Sequence, residues 1–256
     1  MFIRALYLML IALLIPFYLQ AAMTISGTRI IFPASEKEVN IRTNNRGDKP
    51  ALVQVWTDDG KVNGDVNSVK TPFILTPPVY RVEPGRGQSV RLIYNGTALP
   101  KDRESVFWFN MLEIPPKEQG VANNKNKLEL AFRTRIKIFY RPSSLTESSE
   151  EQVEKLKWSV KSASNGSKLV SIENPTPYFF SFDSAAVKNG SIGADINIDM
   201  IPPFTRLEFP VKNSPSVTNN ITAIDFRSIN DYGAAHQHHL IWQNQAFILK
   251  DPTPQS

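Results

Sequence analysis

Apolar side chains along this chain recur at every second position over short stretches, and turn-forming residues separate the stretches. Thr28 to Phe32 is a short extended run closed by Pro33. Val39 and Ile41 alternate with polar neighbours ahead of the turn Asn44-Asn45-Arg46-Gly47-Asp48. Ala51 to Trp56 is apolar on both faces, the pattern of a central strand, and Asp58-Asp59-Gly60 turns the chain again. Val90, Leu92 and Tyr94 share a strand face, and Val106 to Leu112 is a further apolar run. The second half repeats the style in Trp158–Val160, Leu169–Ile172, Tyr178–Phe182, Leu207–Phe209 and Ile221–Phe226. Period-two alternation in short runs predicts an all-β protein built from sandwiches.

One strand stands apart. From Leu128 to Tyr140, the residues Leu128, Leu130, Phe132, Ile136, Ile138 and Tyr140 share one parity, while Glu129, Arg133, Arg135, Lys137 and Arg141 share the other. Side chains alternate faces along a strand, so one face is apolar and the other basic. At ~3.3 Å per residue the segment reaches ~40 Å, longer than an ordinary strand, which predicts that it projects past its own sheet. Lys137 faces away from Leu130 unless a bulge intervenes. After it, Pro142 to Glu154 is rich in Ser, Thr and Glu and reads as a linker, with a short helix around Glu150 to Leu156.

The ends and the composition refine this division. Arg4, the apolar stretch from Ala5 to Leu19 and the small pair Ala21-Ala22 have the order of a secretory signal. The expected organisation is therefore a signal peptide over 1–22, a first sandwich over 23–142 with its distinctive strand at 127–141, a linker over 143–155 and a second sandwich over 156–256. Pro 19 exceeds Gly 12, which disfavours long helices, and Cys 0 excludes thiol and disulfide chemistry. A net charge of +5 without a Lys/Arg run gives no reason to expect a nucleic-acid partner. No nucleophile elbow, phosphate-binding glycine loop or catalytic triad stands out, so neither an enzyme nor a cofactor is expected. His236, His238 and His239 lie close together but lack an evident third or fourth ligand, and read as a solvated strand end rather than a metal site.

Several runs resemble the PapD-like periplasmic chaperones that assemble pili. They are Thr76-Pro77-Pro78-Val79-Tyr80-Arg81-Val82-Glu83-Pro84-Gly85, Asp102-Arg103-Glu104-Ser105-Val106-Phe107-Trp108-Phe109-Asn110 continuing to Glu113-Ile114-Pro115-Pro116, and Ile136-Lys137-Ile138-Phe139-Tyr140-Arg141-Pro142. In the second half, Asn174-Pro175-Thr176-Pro177-Tyr178 and Ile229-Asn230-Asp231-Tyr232-Gly233 follow in the same order. The resemblance implies two immunoglobulin-like β-sandwich domains set at an angle around a cleft. It implies that Arg29 and Lys137 bind the C-terminal carboxylate of a pilus subunit, and that Leu128, Leu130 and Phe132 fill a groove in the subunit by donor-strand complementation. It further implies an interdomain ionic set of Glu104, Arg141 and Asp231, and a cis bond at Thr76–Pro77. The short segment between Pro116 and Leu128 is similar to the short-loop branch of the family.

Partners implied in the same way are pilus subunits, an outer-membrane usher and a self-capping homodimer, in the periplasm and without membrane insertion after signal cleavage. The competing expectation is an exported structural or adhesive β-sandwich component of a surface fibre, which predicts a self-contained core and no carboxylate clamp. A secreted hydrolase, the third, needs a cleft holding a nucleophile beside a base.

Overall fold

The computed structural model describes residues 23–61, 71–114, 130–163, 167–212 and 220–250. The segment assigned to a signal peptide and Leu128 lie outside the described residues. Among the described residues no helix is long and apolar enough to cross a membrane.

The first module contains β1 (Met23–Ile25), β2 (Arg29–Pro33), β3 (Glu38–Asn45), β4 (Ala51–Asp58), β5 (Phe73–Thr76), β6 (Val79–Val82), β7 (Gly87–Tyr94), β8 (Ser105–Ile114) and β9 (Phe132–Arg141). They form two sheets, ordered β1-β3-β7-β5 and β2-β9-β8-β4-β6. The inner faces meet on Phe32, Val53, Val90, Leu92, Phe109 and Ile138, all wholly buried. Phe32, Phe73, Tyr94 and Tyr140 close one end as an aromatic cluster, with Phe32 5.2 Å from Phe73 and Tyr94 4.9 Å from Tyr140. β4 is buried on one face only: Ala51, Val53 and Val55 point inward, while Leu52 is 42% exposed, so the run is not the doubly covered strand that its apolar content suggested. The Thr76–Pro77 bond is cis.

The second module contains β10 (Lys157–Ser162), β11 (Lys168–Asn174), β12 (Phe180–Asn189), β13 (Ile192–Asp195), β14 (Met200–Ile201), β15 (Thr205–Pro210), β16 (Ala223–Ile229), β17 (Ala235–Gln243) and β18 (Ala246–Leu249). One sheet runs β10-β11-β15, and the other β13-β12-β16-β17-β18 with β14 also on β12. Trp158 stacks on Phe226 at 4.7 Å in the core, above Val170, Ile172, Ile201 and Ile224. Between the modules, Glu150–Lys155 forms a 3-10 helix in which Val153, followed by Leu156, packs into the second core. The connecting segment is thus anchored at its far end by the few apolar side chains it carries.

Candidate functional site

β9 is paired along its whole length with β8 on one side, from Ser105↔Tyr140 to Glu113↔Phe132, without a register shift. On its other side β2 runs parallel to it and covers only Lys137 to Arg141. Among the described residues no strand pairs with Phe132–Ile136 on that side, so half of β9 presents a free backbone edge. On the even face, Ile136, Ile138 and Tyr140 are buried in the first core, but Phe132 is 65% exposed and Leu130, just before the strand, 58% exposed. Free edges flanked by exposed apolar side chains promote unwanted pairing, and proteins normally blunt them. Among the described residues this one is left open.

The open half ends where two cations meet. Arg29 at the start of β2 is the register partner of Lys137 on β9, and laterally paired residues project to the same sheet face. Because the register is unbroken, this cationic pair lies on the face opposite Leu130 and Phe132, so no bulge intervenes. Arg29 Nη1 donates to the Ile229 carbonyl of the second module at 2.9 Å, and its guanidinium lies 5.4 Å from the centre of the Phe139 ring. Its Nε is buried without a hydrogen-bond partner. Burial lowers the Arg29 pKa from the ordinary value, opposed by the charges of Asp231 and Glu104. Lys137 Nζ donates to Asp199 Oδ1 at 2.7 Å. The Arg29 guanidinium is thus held in place with one buried N–H left unmatched.

Where the two modules meet, the structure brings Glu104, Arg141 and Asp231 together. Arg141 Nε donates to Glu104 Oε1 at 2.8 Å, and its Nη1 and Nη2 grip both oxygens of Asp231 at 2.7 and 2.9 Å. Asp231 comes from the turn after β16, so this fork joins the modules. Glu104 Oε2 also accepts the Phe179 amide at 2.9 Å, and the Arg141 guanidinium lies 5.3 Å over the Tyr178 ring. Burial would lower the Arg141 pKa, but bonding to Asp231 and Glu104 outweighs it and the pKa is raised. Burial pushes the Glu104 carboxyl up against the pull of Arg141 and the Phe179 amide.

Sequence reasoning missed a second polar cluster, on the outer face of the same sheet. Asp58, with a side chain only 8% exposed, pairs with Arg135 and Arg133. It also accepts Asn110 Nδ2 at 2.7 Å and the Gly60 amide at 2.8 Å. Arg133 lies 5.0 Å over Trp56, and Arg135 4.6 Å over Trp108. The two arginines alternate with Leu130, Phe132 and Thr134, so the cluster grips the open half of β9 from its back. The signal in the sequence was two tryptophans and an acid at the ends of neighbouring strands, legible only once strand pairing is known.

The histidines are absorbed locally. His238 stacks on Phe226 at 4.7 Å and meets Ser228 Oγ, and burial, then the charge of His236, lowers its pKa. His236 Nδ1 lies 3.1 Å from Glu150, and His239 pairs with Asp225. Among the described residues no three His, Cys, Asp or Glu side chains converge as metal ligands would.

Comparison with known proteins places this geometry. The pili and flagellar-assembly chaperone PapD N-terminal domain matches residues 22–146, and the pili assembly chaperone PapD C-terminal domain matches residues 151–240. The probable fimbrial chaperone YadV of Escherichia coli is 44% identical over 84% of this chain and 87% of its own length. Chaperone protein HifB of Haemophilus influenzae is 37% identical over 91% and 92%. Among solved structures, the YadV chaperone superposes with a TM-score of 0.72 over 86% of this chain and all of its own, at 39% identity. The CupB2 chaperone of Pseudomonas aeruginosa gives 0.70 over 84% and 98%, at 35% identity. Two consecutive family domains, in the order and span of these relatives, make the chain a member of the PapD-like pilus-assembly chaperone family.

Proposed function

We propose that this protein captures pilus subunits in the periplasm by lending them the open half of β9, holds them by their C-terminal carboxylate, and passes them to an outer-membrane usher. One observation carries the reading: an unpaired strand edge beside exposed Leu130 and Phe132 runs directly into the Arg29–Lys137 pair. An incoming strand gains main-chain hydrogen bonds along Phe132–Ile136, and the apolar side chains enter the subunit's groove at ~1.5–3 kcal/mol each, less the ordering they require. Charged hydrogen bonds to a terminal carboxylate add ~1.5–3 kcal/mol each and fix the register. A slip of one residue would present the basic face of β9 to the groove. The Glu104–Arg141–Asp231 fork holds the second module against the cation pair. Without a subunit, the same edge accepts a second copy of the chain, which caps it. A fibre component would instead close its own edge, as the described first module does not.

The test is calorimetric. A peptide with the alternating apolar pattern of a subunit's last strand is titrated as the free acid and as the amide. The acid binds more tightly to the wild type, and Lys137→Ala removes the difference while the protein stays folded. Equal affinity of acid and amide for the wild type overturns the clamp.

A further inference from the structure

The ion pair between Lys137 and Asp199 gives the cleft an occupant of its own. Lys137 lies on β9 in the first module, with a side chain 20% exposed, and its Nζ is 2.7 Å from Asp199 Oδ1 in the second. Asp199 precedes β14 and is 80% exposed, and no other side-chain partner fixes its carboxylate among the bonds described. Its neighbour across the sheet is held differently. Arg29 donates to a backbone carbonyl of the second module, Ile229, at 2.9 Å, which a ligand anion has no need to remove. One cation of the pair therefore faces a neutral backbone acceptor, and the other a largely exposed carboxylate with the charge and shape of a peptide terminus.

We infer that Asp199 is a displaceable stand-in for the subunit's C-terminal carboxylate, and that it sets how strongly the cleft discriminates a free terminus from a neutral one. This rests on the carboxylate-clamp reading above. On binding, the terminal carboxylate takes the Lys137 Nζ–H that Asp199 accepts, and Asp199 turns into water. The number of ion pairs at Lys137 is unchanged by the exchange. The clamp's contribution to affinity is the difference between two carboxylates, so it is smaller than that of an unopposed lysine. Desolvation of Lys137 is already met in the free protein, which leaves the lysine stem extended into the cleft before any subunit arrives. The Arg29–Ile229 contact stays in place, so the exchange needs no separation of the modules.

The same acid and amide peptides test the inference on the full mature chain. In Asp199→Asn the acid peptide binds about twofold to fivefold more tightly than to the wild type, the range of a solvent-exposed ion pair, and the amide peptide binds unchanged. Raising the salt concentration shrinks the gain. Asp199→Lys, which adds a third cation, raises acid affinity further and again spares the amide. Wild-type preference for the acid with no gain in either variant, or an equal gain for both peptides, overturns the role of Asp199 and leaves the clamp standing. Equal binding of acid and amide by the wild type and both variants overturns the clamp, and this inference with it.

Discussion

At the scale of single residues, the buried carboxylate of Asp58 shows what an outward-facing charge can do in a sheet. Burial would raise its pKa, but donors from Arg135, Asn110 and the Gly60 amide together hold it below the ordinary value. A carboxyl depressed in the folded state stabilises the protein above its unfolded pKa of ~3.9, and that contribution disappears as pH falls through the folded value. Asp58→Asn keeps the shape but loses two charge-assisted contacts, so unfolding free energy at neutral pH should fall by ~1–3 kcal/mol. Denaturant titrations across pH are expected to show the wild type losing stability more steeply than the variant below about pH 4. None of this was legible in the sequence. Arg133 and Arg135 sit on the parity that alternation marks as basic, and their acceptor lies 75 and 77 positions away. Asp199 was hidden in the same way, 62 positions from Lys137. Glu104, Arg141 and Asp231, also far apart, are legible in the sequence only because the runs around them resemble a family.

At the scale of elements, β9 is two strands in one. Its second half is sealed by β8 and β2, and its first half, among the described residues, by β8 alone. Alternation in the sequence separates Phe132, Ile136, Ile138 and Tyr140 from Arg133, Arg135, Lys137 and Arg141 as the sheet does, because a strand's period is fixed by backbone geometry, but it passes over Phe139, which is buried on the basic face. Alternation is silent on which edge is covered, since pairing is made by distant residues. Hydrogen exchange provides the measurement. Amides of Phe132–Ile136 that face the open edge should exchange faster than amides of Lys137–Arg141 that face β2, and become protected when the acid peptide binds. Phe132→Glu should abolish that protection and weaken peptide binding at least tenfold, since a carboxylate would enter an apolar groove, while leaving thermal unfolding within a few degrees of wild type because the side chain is already exposed. Unaltered affinity in this variant would argue against the donated strand.

At the scale of the whole molecule, the relation between the modules is set by contacts that converge on the start of β2 and the end of β9. Arg141 grips Asp231, Arg29 meets Ile229, and Gly233, with a φ of +86°, lies so close to Thr28 that a methyl group there would overlap the threonine hydroxyl. Asp231→Ala leaves Arg141 with Glu104 alone. Small-angle scattering should then report a broader range of interdomain arrangements, and peptide affinity should fall while each sandwich keeps its strand signature. An unchanged scattering profile would show that the fork does not set the angle. Two sandwiches were predictable from turn spacing, but their junction was not, because apolar patterning reports what each core needs and says little of how two finished cores meet. The junction also does something that no local pattern announces. β2 starts at Arg29, opposite Lys137, and from there on the edge of β9 is occupied. A strand laid along the open half thus runs out of track at the cation pair, with the second module's turn seated behind it. On the proposed function this edge is a length gauge as well as a clasp: a chain that ends on time would find two positive charges, and one that carried on would find a wall.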